Sequence, residues 1–207
     1  LEGAFSDDSI TEDDIRAGLW DFATVEIFIV NWAATSQGTL KERKGTLGQV
    51  RTGRNTFVTE LRGLMQQLQQ VVGRVYAMAC DADLGDSRCT VALGPFTVTG
   101  TVDSVTSRRV FFDAARAEAA DYFTKGKITW TSGLNNLLQM DVKAFSSGTI
   151  ELQLPMPFDV VAGDSYSMVA GCRKRLVEDC QTKFSNVVNF RGFPYVPGMD
   201  QIASGGL

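Results

Sequence analysis

Four cysteines are the residues of this sequence whose type and spacing point most directly to chemistry. Cys80 and Cys89 have eight residues between them, and Cys172 and Cys180 have seven. Both pairs lie in polar, turn-rich sequence, whereas an inert free cysteine usually behaves as a small core hydrophobe. The two pairs are therefore candidates for disulfide formation or for metal ligation.

Three kinds of site fit four such thiols. Two local disulfides would need an oxidising compartment, and no secretory signal peptide is visible in these residues. A structural zinc ion accepts four thiolates, although its paired ligands usually have about two to four residues between them. An iron–sulfur cluster also takes four thiolates and tolerates varied spacing, because it is wider than a single ion. Spacing alone does not separate the cluster from zinc.

The absence of histidine excludes several catalytic arrangements from these residues. Ser-His-Asp and Cys-His catalysis, the HExxH zinc site and Rieske ligation all require an imidazole. A cell-wall hydrolase with Cys80 or Cys172 as nucleophile would therefore lack the base that activates the thiol. An iron–sulfur electron-transfer module is disfavoured because the compact CxxCxxC spacing of ferredoxins is missing.

Charge and hydropathy exclude two further classes. The formal net charge is −4 and no block of basic residues is present, whereas duplex-binding proteins concentrate Lys and Arg against phosphates. No apolar run approaches the roughly 18 residues that a membrane-spanning helix needs. Because the sequence opens at Leu1 and not at Met, we expect an N-terminal segment to precede it.

The elements that must position the cysteines are mostly strands. Alternating apolar residues, with many β-branched and aromatic side chains, are typical of strands that are buried on one face. Acidic residues after Ser and Thr favour a helix start within residues 6–17, and Ala with Glu favours a short helix at 114–122. Strands are predicted at residues 25–32, 46–51, 55–62, within 95–112, and at 127–131, 138–145 and 149–154.

One segment has clear helical periodicity. Apolar residues recur at spacings of three and four between residues 61 and 72, which predicts a short helix with one buried face. The residues of this face are Leu61, Leu64, Met65, Leu68, Val71 and Val72.

Strands in quick succession with one or two short helices indicate a mainly β (α+β) fold, built of β-barrel or β-sandwich modules. We predict two modules. Residues 1–92 form a β-rich module with the helix at 61–72, and residues 93–207 form a second β-rich module. The second module ends in an irregular segment that contains cysteines and is rich in Gly and Pro.

Two long segments carry a resemblance to a known family. GRVYAMACDADLGDSRCTVALGPFTVTGTV (residues 73–102) and GDSYSMVAGCRKRLVEDCQTKFSNVVNFRGFPYVPGMD (residues 163–200) resemble a family of phage baseplate or tail hub proteins, which includes the hub of alphaproteobacterial gene transfer agents. NFRGFPYVPG, residues 189–198, is the most specific piece. The resemblance runs across nearly the whole chain.

The resemblance implies a structural tail-tip hub and not an enzyme. Such proteins are similar in role to the minor tail tip proteins of long-tailed phages, some of which hold a four-iron cluster. The implied ligands of a 4Fe-4S cluster are Cys80, Cys89, Cys172 and Cys180, with zinc as the alternative metal. Arg88, Arg173 and Lys174 lie beside these thiols in the sequence and are candidates to offset the negative charge of the cluster.

The resemblance also implies the setting in which the protein acts. The expected partners are the tail tube or distal tail protein and fibre-like or megatron-like tip proteins, and the expected oligomer is a homotrimer. DNA would pass through the channel without specific binding. The expected location is the virion tail, after assembly in the bacterial cytoplasm.

The terminal motif adds a structural expectation of its own. Only eight residues separate Cys180 from Asn189, so the motif cannot lie far from the second cysteine pair. Its aromatic residues need a surface to cover, which is the metal centre, a neighbouring subunit or the rest of the same domain. Phe193 is expected either to cover the metal centre or to anchor a neighbouring subunit.

Overall fold

A computed structural model describes residues 2–4, 11–53, 56–70 and 72–197. The chain divides into two compact units, Leu1–Gly73 and Arg74–Leu207, whereas the modules predicted from the sequence meet at residue 92. The first cysteine pair is bonded to the segment of the second pair: Cys80 N–H donates to the carbonyl of Lys174 over 2.9 Å. All four cysteines consequently belong to the second unit.

In the residues described, the first unit is a four-stranded antiparallel sheet with two short α-helices and a 3-10 helix at Thr35–Gln37. Its strands are β1 (Glu2–Ala4), β2 (Thr24–Val30), β3 (Thr39–Thr52) and β4 (Thr56–Arg62), in the order β1-β4-β3-β2. Helix α1 (Glu12–Arg16) begins after Thr11, whose hydroxyl accepts a hydrogen bond from Asp14 N–H. Three acidic residues in the first turn of α1 favour this start, as predicted, while residues 6–10 of the predicted range lie outside the described residues.

The helix predicted over residues 61–72 is shorter and its apolar face is not buried. Leu61 belongs to β4, and helix α2 covers only Leu64–Leu68. The side chain of Leu68 is 78% exposed and that of Val72 is 96% exposed, while Val71 lies outside the described residues. The prediction of a buried face is wrong because nothing in the described part of this unit covers it.

The second unit is a seven-stranded antiparallel sheet. Its strands are β5 (Thr97–Thr101), β6 (Ser104–Ser107), β7 (Val110–Phe112), β8 (Lys127–Trp130), β9 (Gln139–Ser146), β10 (Thr149–Leu152) and β11 (Ser165–Val169), in the order β5-β11-β8-β9-β10-β7-β6. Ser147 and Gly148 join β9 to β10, both with positive φ, which is the geometry of a type I′ hairpin turn. The strands predicted from residue 95 onwards are present, but the sequence patterns missed β11.

The helix predicted at residues 114–122 is absent, since this segment folds into turns and irregular backbone. Two carboxylates take its first backbone donors. Asp103 accepts from Ala114 N–H over 2.6 Å, and Asp113 accepts from Ala115 N–H over 2.8 Å. Side chains that bond to nearby backbone in this way offer an alternative to helical hydrogen bonds.

The seven-stranded sheet curls around an apolar core. Phe111 on β7 and Tyr166 on β11 lie four strands apart in the sheet order, yet their ring centroids are 5.7 Å apart. In a flat sheet that separation would be about 19 Å, because neighbouring strands lie roughly 4.8 Å apart. The buried Tyr166 hydroxyl donates to Asp113 over 2.6 Å, and burial followed by this bond raises the pKa of Tyr166.

The mainly β prediction is thus confirmed in both units. The core of the second unit contains Val102, Phe111, Phe123, Ile128, Trp130, Val142, Phe145, Ile150, Leu152, Met156, Val160, Tyr166 and Met168. None of the helices in the described ranges is long and apolar enough to cross a membrane.

Two leucine variants test where burial stabilises the isolated chain. Leu152→Ala removes a fully buried side chain from the core and should lower the free energy of unfolding by roughly 2–5 kcal/mol. Leu68→Ala should change it by less than about 0.5 kcal/mol, because the side chain is exposed. Denaturant unfolding of the two purified variants measures both values. An equal loss in the two variants would mean that the α2 face is covered within the isolated chain.

Candidate metal centre

All four cysteines line one small cavity of the second unit. The structure thereby brings together two pairs that are eighty-two residues apart in the sequence. In the described ranges, no group of three or more Cys, Asp or Glu side chains was found that could hold a metal ion. The remaining lining residues are Ala82, Leu84, Val91, Lys174, Arg175, Phe184, Asn189 and Phe190.

The first cysteine pair is held by a loop that one carboxylate organises. Asp86 accepts backbone N–H donors from Asp83 at 3.0 Å, Arg88 at 2.9 Å and Cys89 at 2.6 Å. The bond from Cys89 is the main cause of a lowered pKa at Asp86, since hydrogen bonds to a carboxylate favour its charged form. Asp86 therefore fixes the direction in which the chain enters Cys89.

The second pair begins at the end of the sheet. Cys172 follows β11 and is preceded by Gly171, where a side chain would collide with the carbonyl of Thr124. Gly171 N–H donates to the carbonyl of Tyr122 over 3.0 Å. Lys183 donates to the carbonyl of Gly171 over 2.8 Å and to the carbonyl of Tyr122. These bonds hold the segment after Cys180 against the backbone that precedes Cys172.

Cys180 lies in a π-helix that spans Leu176–Lys183. Cys180 N–H donates over 3.1 Å to the carbonyl of Arg175, five residues earlier. The buried carboxylate of Asp179 accepts from Arg175 N–H over 3.2 Å and thereby satisfies a donor at the start of this helix. π-Helices are rare and are frequently found at functional sites.

The thiols share an environment that is partly apolar and partly charged. Cys89 and Cys172 pack against a small apolar cluster of Val91, Ala170 and Phe184. Burial raises the pKa of Cys172. Burial, together with the other three thiols nearby, raises the pKa of Cys180 to about 11.

The basic residues beside the cysteines are already paired. Arg88 contacts Asp81 at 2.9 Å, Arg173 contacts Asp121 at 3.1 Å and Lys174 contacts Asp83 at 3.0 Å. Their charges are therefore largely compensated by carboxylates. The donors that reach sulfur are N–H groups instead: Arg191 N–H lies 3.4 Å from Cys80 Sγ, and Asn186 Nδ2 lies 3.7 Å from Cys89 Sγ.

The terminal motif lies beside the cysteines, as its sequence distance from Cys180 predicts. Asn189 and Phe190 line the cavity. Phe193, which is expected to cover the metal centre or to anchor a neighbouring subunit, does not line the cavity. Its ring packs edge-on against Tyr76 with centroids 4.6 Å apart, and the aromatic residue of the motif that lines the cavity is Phe190. Gly192 passes so close to Met78 that an added Cβ would lie 2.7 Å from the Met78 carbonyl oxygen. Gly198, the last residue of the motif, lies outside the described residues.

An open cleft of about 750 Å³ adjoins the cysteine cavity. Leu84, Cys172 and Lys174 line both spaces, so the cysteine site borders this open cleft. The sequence patterns indicated neither the cleft nor the contacts of Asn186, because both arise from segments that are distant in the sequence.

Two families of phage proteins match this sequence. The family described as "Baseplate hub protein, N-terminal attachment domain" matches residues 1–92, and the family described as "Phage conserved hypothetical protein BR0599" matches residues 121–200. No curated protein matches the sequence at a significant level.

A solved structure extends the relationship over the whole chain. A chain of the structure titled "Virion of native gene transfer agent (GTA) particle" is 37% identical and superposes with a TM-score of 0.84. The alignment covers 97% of this chain and 71% of that chain. This protein therefore belongs to the phage baseplate hub family.

Proposed function

We propose that this protein is a structural hub at the tail tip of a phage or gene transfer agent, and that it acts by assembly and not by catalysis. The observation that carries the proposal is the exposed apolar surface of the first unit. Among its residues of described burial, only Thr59 is buried, while several large apolar side chains face solvent. These include Leu19, Phe22, Phe28, Ile29, Trp32, Leu40, Val58, Leu64, Met65 and Leu68.

Part of this surface is an ordered feature of the sheet. Ile29 on β2 and Leu40 on β3 are directly opposite each other, and their side chains are 54% and 68% exposed. Monomeric soluble proteins rarely leave large contiguous apolar patches uncovered, and such patches usually mark interaction surfaces. A unit of this kind gains its buried surface from partner proteins, which agrees with the attachment role named for the family that matches residues 1–92.

The proposed partners are other proteins of the tail. The tail tube or distal tail protein lies on one side, and fibre-like or megatron-like tip proteins lie on the other. The protein is a homotrimer in the virion tail and is assembled in the bacterial cytoplasm. DNA passes through the assembled channel without specific binding, in keeping with a net charge of −4.

The second part of the proposal is that Cys80, Cys89, Cys172 and Cys180 hold a 4Fe-4S cluster. The donor set fits, because four thiols line one cavity, two of them pack against apolar side chains, and two accept N–H donors. A single metal ion needs its ligands in one tight group, whereas the ligands of a cluster bind separate iron atoms. When bound, the group would cross-link the two chain segments that carry the cysteine pairs. Its ligation free energy would then offset the entropy lost when the long loop between the pairs is closed.

Serine substitution of the cysteines tests the cluster. The unmodified chain, purified without air, should contain iron and sulfide in roughly equal amounts, about four of each per chain. Cys80→Ser and Cys172→Ser should each lose this content and lower the melting temperature, because ligation free energy is also folding free energy. Metal analysis and thermal unfolding give both readouts.

The matched control is Ser87→Ala, an exposed position in the loop between Cys80 and Cys89. This variant should retain metal and melting temperature. If the analysis finds zinc and no sulfide, the metal at this site is zinc and not an iron–sulfur cluster. Unchanged metal content and unchanged melting in both cysteine variants would refute a shared site, and sensitivity to reductant alone would indicate two disulfides.

An aspartate on the exposed sheet tests assembly. Leu40→Asp should fold but fail to enter particles, because a carboxylate buried without a partner in an interface is costly. Leu134→Asp is the control, since Leu134 has a similar exposure of 71% but lies in the second unit. The amount of each variant in particles purified from a producer strain is the measurement. Normal incorporation of Leu40→Asp would contradict the proposed attachment surface.

A further inference from the structure

Asn186 joins the two cysteine pairs by contacts of its own. Its side-chain amide donates to the carbonyl oxygen of Cys89 and lies 3.7 Å from Cys89 Sγ. Its backbone N–H donates over 2.7 Å to the carbonyl of Cys180, and its carbonyl accepts from the Cys180 thiol over 3.1 Å. One residue thus contacts one cysteine of each pair.

Asn189 supports this arrangement from the terminal motif. Its side-chain amide donates over 2.7 Å to the side-chain oxygen of Asn186 and over 2.9 Å to the hydroxyl of Thr90. The two asparagines therefore link the residue after Cys89 to the segment after Cys180. Every polar group of the Asn186 side chain and backbone has a partner in this network.

The backbone on both sides of the network is strained. Thr90, which follows Cys89, has φ of 60°, and Ser185, which precedes Asn186, has φ of 50°. A β-branched residue at positive φ is a true outlier, and such strain persists only where surrounding contacts over-determine the conformation. The network around Asn186 supplies these contacts at both strained residues.

We infer that Asn186, supported by Asn189, is a positioning residue that holds Cys89 beside Cys180 before metal is bound and donates an N–H to Cys89 Sγ afterwards. The second part of this inference rests on the proposed cluster, while the first part does not. The side chain must offer both a donor and an acceptor, which an asparagine provides and an aspartate at neutral pH does not. Outer-sphere residues of this kind orient the ligands and tune the metal.

The first experiment uses the metal-free chain and an aromatic disulfide reagent that reports thiol exposure. In Asn186→Ala, Cys89 and Cys180 should react roughly tenfold faster than in the unmodified chain, because loss of these hydrogen bonds makes local opening around the thiols more frequent. Asn189→Ala should show a smaller increase, and it keeps the test valid if Asn186→Ala does not fold. Asn136→Ala is the control, because that exposed side chain makes no hydrogen bond within the described residues. Equal rates in all four proteins would overturn the inference.

The second experiment separates positioning at the metal from ordinary loop packing. After reconstitution with ferrous iron and sulfide, the reduction potential of Asn186→Ala should be more negative than that of Asn136→Ala. The reason is that an N–H donor to sulfur stabilises the extra negative charge of the reduced cluster. An unchanged potential at full iron content would overturn the donor role. If neither the unmodified chain nor any variant takes up iron and sulfide, the proposed cluster is refuted. The thiol reaction rates still decide whether Asn186 holds the two cysteine pairs together.

Discussion

The close approach of two backbone segments at Gly126 and Gly171 is the constraint on which the cysteine site depends. A side chain at Gly126 would overlap the carbonyl of Val169, and one at Gly171 would overlap the carbonyl of Thr124. Because Gly126 precedes β8 and Gly171 precedes Cys172, the sheet backbone fixes where the second cysteine pair begins. The packed core beneath the sheet holds these two backbone segments in place, because close-packed interiors have low compressibility.

Two kinds of interaction converge on the cysteines from that fixed point. Polar side chains direct the backbone: Asp86 organises the loop before Cys89, and Asn186 connects Cys89 to Cys180. In the proposed cluster the thiols would supply a second connection. The hydrogen bonds hold the loops near their final positions, so a metal would bind ligands that already converge. Less conformational entropy is then lost on binding than for ligands on free loops.

The two units differ in where their stability comes from. The second unit has a closed aromatic core, in which Trp130 and Tyr166 are fully buried and in ring contact. The first unit exposes comparable residues, and Trp32 is an example. A sheet with one uncovered apolar face is marginal alone and gains hydrophobic stabilisation when a partner covers it. The second unit therefore has a closed core of its own, and the exposed apolar residues of the first unit are the basis of the attachment surface proposed above.

The sequence by itself determined the features that depend on local pattern. Alternation of apolar residues located β8, β9 and β10, and the spacing of Cys180 and Asn189 placed the terminal motif beside the cysteines. Only the tertiary structure decided which faces are covered. The stripe at Leu64 and Leu68 has the period of a buried helix but is exposed, because periodicity describes which residues share a face and says nothing of what packs on it. The division at Gly73 and the contacts of Asn186 depend on residues a hundred positions away, and no local pattern encodes such pairings.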